Sequence, residues 1–163
     1  MPNNGDRAKQ VNRKTLPVSL TIGAHVLDHI AARTSPGKRS AALSAHLKRY
    51  YELMQESAPE ALARIDSLGQ IICLFEIWGN VPSLAGVHDA KHHVSVDVSD
   101  TWARHSVSRP VTQLVISRMP DVMLLALLDL CEIYWASQDN GTPIEITDVI
   151  SAVAPNWKGL SRR

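Results

Sequence analysis

A chain of 163 residues with 45% hydrophobic side chains can form one sizeable core or two small domains. No stretch approaches the roughly 20 apolar residues of a membrane-spanning helix, and the N-terminus MPNNGDRAKQVNRK lacks an apolar segment of the secretory type. We therefore expect a soluble cytoplasmic protein without a membrane partner. Because that compartment is reducing, Cys73 and Cys131 are expected to be free thiols in apolar surroundings.

The net charge of +1 conceals a strong asymmetry along the chain. Residues 1–50 carry a net charge of +7, from nine basic and two acidic side chains. The remaining 113 residues carry 8 basic and 14 acidic side chains, a net charge of −6. Such a distribution suits a protein whose basic end lies against polyphosphate, although a basic arm that is merely solvated is an alternative.

The N-terminal third predicts one strand followed by two helices. In LPVSLTI, the residues alternate between an apolar face and a polar or small one, which is typical of a short strand ended by Gly23. A first helix follows in AHVLDHIAART. Ser35-Pro36 predicts the start of a second helix, with a start nearer Ser40 as the alternative, and its apolar stripe should run to about Gln55. That stripe consists of Leu43, Leu47, Tyr50 and Met54.

A lone strand with two helices cannot pair its own backbone edge, so this segment predicts a homodimer. Two copies would pair their strands antiparallel and leave a two-stranded ribbon facing outward, and such a ribbon fits the DNA major groove. The expected dimer core consists of Val18, Leu20, Ile22, Leu27, Ile30, Leu43 and Leu47.

This order, with VSLTI running into a helix and a G-x-x-S turn leading into a second one, resembles the Arc/MetJ/CopG ribbon-helix-helix superfamily over residues 14–55. The resemblance implies base-reading roles for Ser19 and Thr21. The third base-facing position falls on Pro17, which departs from the pattern because it has no side-chain donor. It also implies that the turn and helix start clamp a phosphate through main-chain N–H groups. The expected phosphate-binding residues, with two from the arm, are Arg13, Lys14, Gly37, Lys38, Arg39 and Ser40.

The rest of the chain predicts helices. A capping-box spacing at Ser57 starts a third helix that ends near Gly79-Asn80, and short turns are expected around Ala90 and Trp102. Further helices are expected over 110–118, over 120–137, which is apolar nearly all round, and after Thr142 to about Ala154. The expected core anchors are Trp78, Trp102 and Trp135. This region is a packed extension, an oligomerisation module or a docking surface for a protein partner.

The predicted fold is mainly α, with an N-terminal ribbon-helix-helix module and a helical C-terminal region. The expected segments are 1–13 as a flexible basic arm, 14–56 as the DNA-binding and dimerisation domain, 57–157 as a helical domain and 158–163 as a basic tail.

A histidine cluster is the one constellation that suggests metal chemistry. His88 and His92 are four residues apart, with His93 adjacent and His105 further on, so a transition metal could bind. A histidine-rich surface turn without a metal is commoner, and we expect no metal or other cofactor. Because no glycine phosphate loop, G-x-S-x-G elbow or H-E-x-x-H motif is present, we expect a protein that is not an enzyme.

The sequence therefore predicts a dimeric, sequence-specific DNA-binding protein that inserts a two-stranded β-ribbon into the major groove. We expect a transcriptional repressor or autoregulator of a plasmid, phage or other mobile element, with higher oligomers on repeated sites. A plasmid partition or relaxosome accessory protein is one alternative. An antitoxin is another, although the long helical C-terminal region argues against it.

Overall fold

The computed structural model describes residues 23–82, 84 and 86–161. Those residues form eight α-helices and a final 3-10 turn, and none of them lies in a β-strand. The helices are α1 (Ala24–Ala31), α2 (Arg39–Ala63), α3 (Leu68–Gly79), α4 (Val87–Val96), α5 (Thr101–Arg104), α6 (Arg109–Arg118), α7 (Asp121–Asp139) and α8 (Ile146–Val153), and the turn is Lys158–Leu160. No helix in these described ranges is long and apolar enough to cross a membrane.

The predicted ribbon-helix-helix fold class is wrong. The described part of the chain is entirely helical apart from its connections, and the residues of the expected strand, 16–22, lie outside it. The second helix also differs from the prediction, because α2 continues past Gln55 to Ala63. Its apolar stripe extends beyond Met54 to the buried Ala58 and Leu62, so tertiary packing lengthens the helix beyond the two-helix module.

The chain divides into two compact units, Met1–Ser44 and Ala45–Arg163. The described part of the first unit contains α1, the turn after it and the first residues of α2. The second unit contains the rest of α2 and all later elements. The boundary therefore lies inside α2, within the segment 14–56 that the sequence suggested as one domain.

The core of the second unit is built around α3 and α7. Helix α3 packs against α4, α5 and α7, and α7 also packs against α8. Helix α3 buries most of its apolar side chains, whereas α7 buries six of them and leaves others, such as Ile133, exposed. The predicted anchors Trp78 and Trp102 are buried, and Trp135 is half-buried.

Two contacts attach the C-terminal segment around Trp157 to the end of α2 and to the residues that follow it. Trp157 is buried and its Nε1 donates a hydrogen bond to the carbonyl of Leu62, with an N–O distance of 2.7 Å. Lys158 forms an ion pair with Asp66 at 2.6 Å. The segment expected as a basic tail, 158–163, therefore begins with a 3-10 turn.

Most C-terminal helix predictions are confirmed. The short turn expected near Trp102 is α5, and the helices expected over 110–118 and 120–137 are α6 and α7. Ala90 lies in α4, a helix of 10 residues that is longer than the short turn expected there. The short last helix is α8, which ends at Val153.

The predicted start of the third helix is wrong. Ser57 and Pro59 both lie inside α2, so the S-x-x-E spacing at Ser57 does not start a helix. The capping box that does start one belongs to Ser67 and Gln70, just before α3. That S-x-x-Q spacing was present in the sequence and was missed. A proline in a helix interior is unfavourable by about 3 kcal/mol, and burial of the flanking Ala58, Ala61 and Leu62 offsets this cost.

Gln70 joins the start of α3 to α6. Its side-chain oxygen accepts hydrogen bonds from the backbone N–H groups of Asp66 and Ser67, at 2.8 and 3.1 Å. Its Nε2 donates to Thr112 Oγ1 at 3.0 Å, and that hydroxyl donates to the carbonyl of Ser108 at 3.1 Å. Because Gln70 and Thr112 are both buried, no solvent replaces these bonds if one partner is lost.

Cys73 and Cys131 are free and buried, as predicted. Burial raises the pKa of Cys73 to about 11 and that of Cys131 to about 12. Both thiols therefore stay protonated at neutral pH, and neither is a nucleophile.

Replacing Thr112 with Val should lower the free energy of unfolding by about 1–3 kcal/mol, because the shape is kept while Gln70 Nε2 loses its buried acceptor. Urea denaturation measures this change. The exposed Thr142 provides the matched control, and Thr142→Val should alter the free energy by less than about 0.5 kcal/mol. Equal effects of the two substitutions would show that the Gln70–Thr112 bond does not stabilise the fold.

Candidate nucleic-acid interface

The boundary between the two units also separates the charge. Met1–Ser44 contains seven basic and two acidic residues, a net charge of +5. Ala45–Arg163 contains 10 basic and 14 acidic residues, a net charge of −4. The asymmetry read from the sequence thus corresponds to a difference between two structural units.

Three cations of the first unit lie in its described part and are exposed: Arg33, Lys38 and Arg39. None of them forms an ion pair with another described residue. Arg33 Nη1 lies 2.7 Å from Nδ1 of His29 on α1, so its side-chain partner is an imidazole ring and not a carboxylate. Their charge is therefore available to an anionic ligand.

A tight turn sets the start of α2. The N–H of Lys38 donates to the carbonyl of Ser35 at 3.1 Å, with Pro36 second in the turn and Gly37 third. Gly37 has a φ of 85°, the left-handed value that a type II turn requires at its third position. The helix start at Ser35-Pro36 is therefore wrong, because a left-handed residue cannot continue a right-handed helix, and the alternative start nearer Ser40 agrees with α2 beginning at Arg39.

The exposed helix start concentrates several features that favour an anion. The first bond of α2 runs from the N–H of Ala42 to the carbonyl of Lys38, so the N–H groups of residues 39–41 precede any helical bond. The helix dipole adds positive potential there. Gly37, Lys38, Arg39 and Ser40, expected from the resemblance to bind phosphate, all lie in this exposed stretch. The arrangement can hold one phosphate through backbone N–H groups with two cations beside it.

The other predicted interface residues are only partly accounted for. Pro17, Ser19 and Thr21, with Arg13, Lys14, Val18, Leu20 and Ile22, lie outside the described residues. Of the expected dimer core, Ile30 is buried, Leu43 is half-buried, and Leu27 and Leu47 are 47% and 55% exposed.

An exposed apolar surface lies on the part of α2 that belongs to the second unit. It consists of Leu47, Tyr50 and Tyr51, with Tyr51 61% exposed. These residues lie on the same face of the helix as the buried Met54, so the surface continues an apolar stripe that enters the core. Tyr51 was not included in the apolar stripe predicted from the sequence, although its i, i+4 spacing from Leu47 places both side chains on one face.

The histidines of the cluster lie on two different parts of the chain. His88, His92 and His93 all lie on α4, where His93 contacts Asp89 at 3.4 Å. His105 lies elsewhere and forms a 2.9 Å contact with Glu76. Across the residues that the structure describes, no three His, Cys, Asp or Glu side chains are arranged to hold a metal ion.

Replacing Gly37 with Ala should strain the turn by about 1 kcal/mol, since an added Cβ meets no neighbour within 4 Å and only the left-handed φ is unfavourable. Hydrogen exchange measured by NMR should show the Ala42 amide opening about fivefold more often. Gly37→Asn should have a smaller effect, because Asn tolerates this conformation. An unchanged Ala42 exchange rate in Gly37→Ala would contradict the assigned role of the turn.

Comparison of the chain with protein-family models, with curated proteins and with solved structures found no match.

Proposed function

We propose that this chain is a cytoplasmic DNA-binding regulator that acts as a homodimer, most simply as a repressor of transcription. The observation that carries the proposal is the concentration of net positive charge in the unit Met1–Ser44, with Lys38 and Arg39 exposed at the start of α2. A β-ribbon in the major groove is no part of this proposal, because the described chain is helical.

The chemistry of the helix start favours a nucleic-acid backbone as its ligand. Two adjacent cations beside a helix N-terminus repel each other and the dipole, so the arrangement is unfavourable without an anion. A backbone phosphate removes that repulsion and accepts hydrogen bonds from the free N–H groups. The basic residues earlier in the chain extend the same charge complementarity, which acts on any DNA sequence.

The negative charge of the second unit supports different binding roles for the two units. A net charge of −4 on Ala45–Arg163 disfavours contact between that unit and DNA. This unit is therefore suited to protein contacts rather than to phosphate.

A second copy of the chain is the partner that the exposed surface on α2 favours. Leu47, Tyr50 and Tyr51 continue a stripe whose next member, Met54, is buried, so the helix is apolar on one face along its length. Pairing the same surface on two copies around a two-fold axis would remove it from water. Dimerisation also doubles the number of phosphates that one particle neutralises, and so raises affinity for DNA.

The double substitution of Lys38 and Arg39 by Ala should weaken binding to a mixed-sequence DNA duplex about tenfold at low salt, because two phosphate contacts are lost. The slope of log K against log salt should fall in magnitude by about 2. Fluorescence anisotropy of a labelled duplex over a salt series measures both quantities.

The matched control replaces the exposed Arg64 and Arg118 by Ala, which removes the same charge from the acidic unit. This variant should bind within about twofold of the unmodified protein. Equal losses in the two variants, or no binding by the unmodified protein, would refute the proposed interface.

Replacing Leu47 with Glu should convert the dimer into a monomer, because a charge on the shared apolar surface would be buried without a partner. Light scattering coupled to gel filtration should then report a mass near 17.9 kDa instead of twice that value. Val98, 76% exposed and away from α2, supplies the control, and Val98→Glu should leave the dimer intact. An unmodified protein that is monomeric at micromolar concentration would exclude the dimer.

A further inference from the structure

A cavity of about 400 Å³ lies in the second unit, lined by residues of α2, α3 and α7 and by Val81, Pro82, Leu84 and Gly86. Its volume falls within the range of about 300–1,000 Å³ typical of small-molecule sites. Its walls are largely apolar and include the aromatic residues Tyr50, Trp78 and Trp135. Two carboxylates of α7, Asp129 and Glu132, also line it. The proposed DNA contact does not use this cavity, although Tyr50 belongs both to its wall and to the proposed dimer surface.

The aromatic walls are fixed in place. Trp78 is buried, and its Nε1 donates to the carbonyl of Ala90 at 3.1 Å. Trp135 donates through Nε1 to the carbonyl of Phe75 at 2.9 Å. Its indole lies directly on Gly79, where even a methyl group would overlap it. The ring faces are therefore set before any ligand arrives, which lowers the entropic cost of binding.

The two carboxylates present negative charge that the protein does not neutralise. Asp129 and Glu132 lie three residues apart on α7 and so share one face of the helix. Among the described residues, neither one forms a hydrogen bond or an ion pair. Asp129 is half-buried, so its anion is less well solvated than on an open surface, whereas Glu132 is exposed and adds negative charge beside it.

The surroundings of the cavity shift the pKa values of Asp129, Glu132 and Tyr50. Burial raises the pKa of Asp129, and burial together with the charge of Asp129 raises the pKa of Glu132. The pKa of Tyr50 is raised mainly by burial and, to a smaller extent, by the negative charges of Asp129 and Glu132. A positive charge in the cavity would relieve all three effects.

We propose that this cavity binds a small organic cation, an ammonium group carried on an apolar body. Aromatic faces attract such a cation through their quadrupole, and the carboxylates neutralise its charge. The apolar walls accept its hydrocarbon part. An anion would be repelled by both carboxylates, and a neutral molecule of the same shape would leave them unpaired.

Choline and its neutral isostere 3,3-dimethylbutanol test the proposal on the full chain. Choline should bind at one saturable site with a Kd of about 1 mM or lower, and the isostere at least about tenfold more weakly. NMR of the four indole N–H signals locates the site, because those of Trp78 and Trp135 should shift while those of Trp102 and Trp157 should not. Trp-to-Phe variants assign the signals.

The double variant Asp129→Asn, Glu132→Gln should lower choline affinity at least about tenfold. Its fold should be kept, because neutral amides replace poorly solvated charges, and a circular dichroism melt checks this. The matched control, Glu60→Gln with Asp139→Asn, removes two exposed carboxylates of the same unit and should bind choline within about twofold of the unmodified protein. The single variant Asp129→Asn should give an intermediate loss.

Three results would overturn the proposal. They are absence of saturable shifts at Trp78 and Trp135, equal affinity for choline and its isostere, and undiminished affinity in a folded double variant. Because none of these measurements involves DNA, their failure would leave the proposed nucleic-acid contact untouched.

Discussion

Burial of the C-terminal half of α2 is the constraint on which the rest of the structure depends. Met54, Ala58, Ala61 and Leu62 are almost fully enclosed in the core of the second unit, and the carbonyl of Leu62 also accepts the indole N–H of Trp157. These contacts hold a 25-residue helix together across an internal proline. The same helix carries exposed apolar side chains at Leu47 and Tyr51 and begins beside two cations. Helix α2 therefore contributes to the core, to the proposed dimer surface and to the proposed phosphate contact.

Charge gives the two units different physical roles. A net charge of +5 on Met1–Ser44 attracts polyphosphate over a range set by salt screening, whereas −4 on Ala45–Arg163 opposes it. Within the acidic unit the charge is unevenly compensated. Lys158 pairs with Asp66, and Arg104 pairs with Glu76. Asp129 and Glu132, in contrast, line an aromatic cavity and form no ion pair with another described residue. The proposed cation site and the proposed DNA contact thus follow from the same principle, that charge left uncompensated favours a ligand of the opposite sign.

Sequence reasoning succeeded where local signals agreed with tertiary packing, and failed where packing overrode them. Asn80 follows α3 and Pro110 opens α6 as expected, because these stop and start signals act within a single turn of helix. At Ser57 the capping-box spacing was misleading, because burial of the neighbouring Ala58 and Ala61 stabilises helix on both sides of it. The strand predicted from LPVSLTI led to a fold class that the helical structure contradicts, since alternation over seven residues is a weak signal.

The sequence by itself determined the charge asymmetry, the helical character of the C-terminal region and the burial of both cysteines, because composition and helical periodicity are local properties. Tertiary structure alone decided where α2 ends, that Trp157 reaches the carbonyl of Leu62, and that Tyr50, Trp78 and Asp129 surround one cavity. Residues 50, 78 and 129 are far apart in the chain, and no local pattern encodes their proximity. The packing of α3 against α7 brings Trp78 and Asp129 together, and Tyr50 joins them from α2.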